Sequence, residues 1–78
     1  MRKLKLIWDF KGPDGLNIAE HHEIHLRDYV KVKNLKLNIT GVEILTSHHA
    51  IAYLVVNDDE MKLVRDALKP HRGQVYTK

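Results

Sequence analysis

The apolar positions of this chain change period several times, and each change predicts an element. Leu4, Leu6, Trp8 and Phe10 alternate with Lys3, Lys5, Ile7 and Asp9, the period of two expected of a half-buried strand. Lys11-Gly-Pro-Asp-Gly15 breaks that pattern with a proline and two glycines and reads as a turn. From Asn17 to Val30 the spacing becomes helical. At about 100° per residue, Ile18, Ala19, Leu26 and Tyr29 fall on one side, and Ile24 and Lys31 on the other. Asp14 is one candidate cap for this helix, and Asn17 with Glu20 three residues on is a second. The helix is expected to run to about Lys33 with Asn34 as its stop. Lys31 and Lys33 suit the negative end of its dipole.

Leu35, Leu37 and Ile39 then alternate with Lys36, Asn38 and Thr40, and at Thr40-Gly41 the phase slips to Val42 and Ile44. A glycine at a phase slip predicts a strand with a β-bulge. Thr46-Ser-His-His49 reads as a turn. Residues 50–56 are apolar on both faces, which marks a central strand whose sheet must be covered on both sides. Asn57-Asp-Asp-Glu60 opens a second helix with an apolar stripe of Met61, Leu63, Val64, Ala67 and Leu68, and Lys69-Pro70 ends it. Gln74-Val-Tyr76 offers a short edge strand.

This order of elements predicts an α+β domain of the ferredoxin-like split β-α-β type. Its antiparallel sheet has the order 4-1-3-2, with a fourth strand that is short or absent and two helices on one face. In that arrangement Trp8 to Phe10, the 12–15 loop, His21, His22, His25, His48, His49, His71 and Arg72 gather toward one pole. The lysines flanking the first helix go to the other, beside Asp58, Asp59 and Glu60.

Composition narrows the reading. Seventy-eight residues make one domain, 1–78, and a core this small favours self-association. The absence of cysteine excludes disulfides, thiol nucleophiles and cysteine-ligated metals. Lys5 and Asp9 interrupt any signal-peptide core after Met1-Arg-Lys, and no apolar run is long enough for a membrane span, so a cytoplasmic protein without membrane contact is expected. The net charge of +3 is scattered and reads as solvation. The open sheet face would carry Ile7, Ile51, Tyr53 and Val55, with one aromatic where an RNA-binding sheet needs several. Nucleic acid is therefore not an expected partner. An apolar face of that kind more readily meets another sheet, which predicts a homodimer.

The histidines carry the chemistry. His22 occupies the centre of the first helix's apolar face, where Leu or Val is usual, so it either satisfies a buried polar need or lines a pocket. The expected ligand-binding set is Trp8, His22, His25 and His49, and His22 and His25 are the acid–base candidates. His21 and His25 at i,i+4, or His22 and His25 at i,i+3, could chelate a divalent metal together with His49, although no cofactor is required. His22-Glu-Ile-His25 is one residue short of the zinc-protease H-E-x-x-H. The 12–15 turn lacks the glycine spacing and lysine of a phosphate loop, and no G-x-S-x-G is present. Asp9 alternates away from Trp8 and Phe10 and reads as a surface carboxylate.

The block Trp8-Asp-Phe-Lys-Gly-Pro-Asp14 followed by Ala19-Glu-His-His-Glu-Ile-His-Leu26 resembles a segment shared by small uncharacterised bacterial proteins. In element order, and in having a histidine early in the first helix, the chain also resembles the dimeric α+β-barrel class that includes YciI-like and EthD-like proteins. That resemblance implies two sheets packed face to face and a pocket between sheet and helices in each subunit. No catalytic motif carries over by residue. The expected function is a homodimeric small-molecule-binding domain with a histidine-lined pocket between the first helix and the sheet, open to acid–base catalysis. Divalent-metal binding and a non-catalytic interaction module are the alternatives.

Overall fold

A computed structural model describes residues 2–77; Met1 and Lys78, the ends of the expected domain, lie outside them. The elements are β1 (Lys3–Lys11), α1 (Gly15–Lys33), β2 (Ile39–Thr46), β3 (His49–Asn57), α2 (Asp58–Leu68) and β4 (Arg72–Val75). They form a four-stranded antiparallel sheet in the order β2-β3-β1-β4. β1 pairs with β3 and β4 and not with β2, so from the β4 edge the strands run 4, 1, 3, 2.

Strand alternation divides the sheet into two faces. Leu6 and Trp8 of β1 face the helices together with Ala50, Ala52, Leu54 and Val56 of β3. Ala19, Leu26 and Val30 of α1 and Val64 of α2 close over them, so both helices share one core on one face. Trp8 is 3 % exposed, and its Nε1–H donates to the Leu68 carbonyl at 3.1 Å, tying the end of α2 to β1. The helices begin and end largely where the residue pattern predicts. Asp14 and Asn57 occupy the N-cap positions, though neither side chain makes a capping bond. Asn34 and Lys69 end the helices in the left-handed conformation (φ 53° and 52°). Gly15 has no alternative at the start of α1, because a Cβ there would lie 2.6 Å from the Phe10 carbonyl oxygen.

Three expectations need correction. Leu35 to Asn38 are not strand: after the left-handed Asn34, the Leu35 N–H bonds back to the Val30 carbonyl at 3.1 Å, and Leu35 packs against the core. Their alternation is the exit of a helix. Gly41 is not a bulge. It pairs with Tyr53 in regular register, and the Tyr53 phenol occupies the space a Gly41 Cβ would need; the irregularity falls later, between Ile44 and Thr46. Leu63 and Ala67 of the α2 stripe are exposed, Leu63 by 60 %, since α2 buries Val64 and only partly buries Met61 and Leu68.

The polar ends of the domain are well separated. At one pole the Gly12 N–H donates to the His48 carbonyl at 2.8 Å, joining the β1–α1 loop to the β2–β3 hairpin, and the His71 N–H donates to Ile7 at 2.9 Å. At the other, Arg2 and Lys36 pair with Asp58 and Asp59, at 3.6 and 2.6 Å.

Candidate functional site

His22 lies on the helix-facing side of the sheet, at the pole where β1 ends. Its ring sits 4.9 Å from the Trp8 ring and 5.4 Å from the Phe10 ring, measured between centroids. The side chain is half-buried, and its Nε2 is shut off from solvent without a hydrogen-bond partner among the described residues. Tyr29 Oη, two turns further along the same stripe of α1, is likewise buried and unpaired. Burial pushes the His22 pKa below the ordinary imidazole value of 6.5, and the positive fields of His25 and His71 push the same way. His22 is therefore held neutral, with one ring nitrogen able to accept and the other to donate.

Around it α1 presents a shallow hollow of about 390 Å³ lined by Asn17, Ile18, His21, His22 and His25. His21 and His25 are exposed, with ring centroids 4.9 Å apart as i,i+4 neighbours. The hollow opens along α1. Trp8 is not among its lining residues; it supports the His22 ring from within the core. His49 is not brought to this group. It pairs in register with Lys11, which places it on the sheet's outer face, away from the helices. A hairpin histidine one residue earlier or later would have faced the other way. Among the described residues, no three or more His, Asp or Glu side chains come together in a way that could hold a metal ion.

The outer face holds a cluster of residues from the expected pole, centred on Asp9. Asp9 Oδ2 accepts from Arg72 Nε at 2.9 Å and Oδ1 accepts from Arg72 Nη2 at 3.1 Å, a two-pronged clamp. Asp9 Oδ1 also meets His49 Nε2 at 2.7 Å. The Asp9 backbone N–H donates to His71 Nδ1 at 2.8 Å, so that imidazole stands in for a ladder carbonyl where β4 begins. The Arg72 guanidinium, and after it His49, hold the Asp9 carboxyl down at about 2. Further along the same face, Lys5 Nζ lies 4.3 Å from the centre of the Tyr53 ring and pairs with Glu43 at 2.8 Å. Beneath these groups Ile7, Ile51 and Val55 are 2 %, 3 % and 0 % exposed, although they take no part in the helix-side core. The apolar row is covered within the chain, by long polar side chains and, beside Val55, by Ile39.

No family model, curated protein or solved structure matches the chain. The class that stands is an α+β domain, one antiparallel sheet layered on one face by two helices. No helix among the described residues is long and apolar enough to cross a membrane.

Proposed function

We propose that this chain is a small-molecule-binding domain of ferredoxin-like arrangement, with its site on the His22 face of α1. The observation that carries the reading is the buried, unpaired Nε2 of His22. A buried polar atom without a partner costs about 1–3 kcal/mol, and native folds seldom retain one without a use. A neutral hydrogen-bonding ligand entering between Asn17, Ile18, His21 and His25 would reach Nε2 by displacing the side chains that cover it, and there meet an imidazole already desolvated and backed by Trp8 and Phe10. Asp9 lies on the other face and is engaged by Arg72 and His49, and among the described residues no carboxylate bonds to His22 to orient it as a catalytic base. That favours binding over acid–base catalysis.

The binding unit in this reading is a single chain. Of the residues expected to form a sheet-to-sheet dimer contact, Ile7, Ile51 and Val55 are buried within one chain and Tyr53 is half-buried, which supports the single-chain reading. Metal binding is the weaker reading, since His21 and His25 offer two ligands on an exposed helix face and His49 is too far round the fold to complete a set.

The test is protein NMR with a library of neutral heterocyclic fragments. The expected result is saturable shifts at Asn17, His22 and His25 that disappear in His22→Leu. Fragments that leave these resonances unmoved, or that bind His22→Leu equally well, would overturn the reading.

A further inference from the structure

On the far side of α2 from α1 the sheet is left partly uncovered, and the gap has a definite shape. Its floor is Leu4 and Leu6 of β1, one wall is Met61 and Arg65 of α2, and the other is Gly73 and Val75 of β4. Pro70 closes one end and Arg2 stands at the other, enclosing a cleft of about 400 Å³, within the range of small-ligand sites. Gly73 is what keeps it open. It lies opposite Leu6 on the helix-facing side of β4, and a Cβ there would meet the Leu6 Cδ2 at 3.4 Å and the Lys5 carbonyl oxygen at 3.6 Å. Any larger side chain would project into the space.

The charges around the cleft are of one sign. Arg2, Arg65 and Arg72 belong to its lining and no carboxylate does. The Arg72 side chain turns to the outer face, where its guanidinium is spent on Asp9, so it offers the cleft no charge. Arg2 and Arg65 are exposed and loosely held from outside the cleft, by Asp58 at 3.6 Å and by Asp66 through Arg65 Nε at 3.3 Å, which leaves the terminal nitrogens of Arg65 without a partner among the described residues. An apolar trough with arginine donors at its rim suits a ligand with an aliphatic body and an anionic head.

From this we infer a second binding site, between α2 and β4, for a small amphipathic anion of the medium-chain carboxylate class, with its tail along Leu4 and Leu6 and its head at Arg2 and Arg65. The site is independent of the His22 hollow and shares no residue with it.

The experiment is titration of the intact protein with sub-micellar decanoate, followed by backbone NMR and calorimetry, beside 1-decanol and decyltrimethylammonium. Decanoate is expected to bind saturably and to shift Leu4, Leu6, Met61, Gly73 and Val75, at least roughly tenfold more tightly than either control. Arg2→Gln with Arg65→Gln should reduce that preference to near unity, and Gly73→Leu should abolish binding. Gly73→Ala, whose added methyl fits, serves if the leucine variant fails to fold and should weaken decanoate several-fold. Equal binding of the cationic probe, shifts confined to the His22 hollow, or undiminished binding to both Gly73 variants would each overturn the site.

Discussion

The two faces of this sheet bury their apolar rows by different means. On the helix side Leu6, Trp8, Ala52 and Leu54 are covered by Ala19, Leu26, Val30 and Val64, apolar against apolar. On the outer side Ile7, Ile51 and Val55 are just as inaccessible, yet apart from Ile39 beside Val55 the side chains that share that face are largely polar, among them Lys5, Asp9, Glu43, His49, Tyr53 and Arg72. Polar groups fare differently on the two faces, although Trp8 on the helix side does pair, with the Leu68 carbonyl. At the centre of the outer face Asp9 is paired with Arg72 and His49, and Lys5 with Glu43. On the helix side His22 Nε2 and Tyr29 Oη are buried and unpaired. A polar roof closes a face when its members satisfy one another, whereas the unsatisfied groups mark where a ligand has something to offer.

The comparison breaks first at its apolar rows. If the outer row is truly roofed, Ile51→Ala should cost as much as Leu54→Ala, about 2–5 kcal/mol each in denaturant unfolding. An Ile51→Ala cost well under about 1 kcal/mol would mean that water already reaches that face. Removing the clamp should come next. Asp9→Ala leaves Arg72 and His49 without their acceptor and is expected to cost about 1–3 kcal/mol. Because the folded-state carboxyl titrates at about 2 against an ordinary 3.8, its contribution is complete above the ordinary value and is lost as the pH falls through about 2. Wild type should therefore lose stability over that acid window, and the variant should lose less. Gly41→Ala should cost a similar amount, about 1–3 kcal/mol, because the Tyr53 ring must move. In a Tyr53→Ala background the penalty should shrink, and a double-mutant cycle without coupling would mean the ring is not seated on Gly41.

The element types were readable from periodicity, since long alternations and a helical stripe leave few alternatives. Asn34 illustrates what a single residue can specify, as its tolerance of the left-handed region stops α1 where expected. Leu35 and Leu37 mislead because a helix exit packing back on its own core copies strand alternation over a few residues. Gly41 misleads for a different reason: a phase slip and a seat for a cross-strand ring look the same until Tyr53 is placed opposite it. The candidate site was legible in part. The position of His22 in the helix stripe indicated burial, but the face taken by His49 depended on hairpin register. The clamp on Asp9 joins residues at opposite ends of the chain, and no local pattern announces Arg72 as its partner.

The most direct test of the account is the titration of the His22 imidazole protons by NMR in the unliganded protein. Burial and the nearby His25 and His71 favour the neutral ring, so the folded state should resist protonating His22 until the pH is below the ordinary 6.5. By linkage the unfolded chain takes up that proton first, so wild type should lose stability as the pH falls below about 6.5. His22→Leu should lack that slope and cost about 0–1 kcal/mol or less, since it removes an unsatisfied group. The account predicts a depressed midpoint for His22, with slow exchange of its ring N–H. An ordinary imidazole midpoint with a freely exchanging ring would put His22 in solvent and contradict the site.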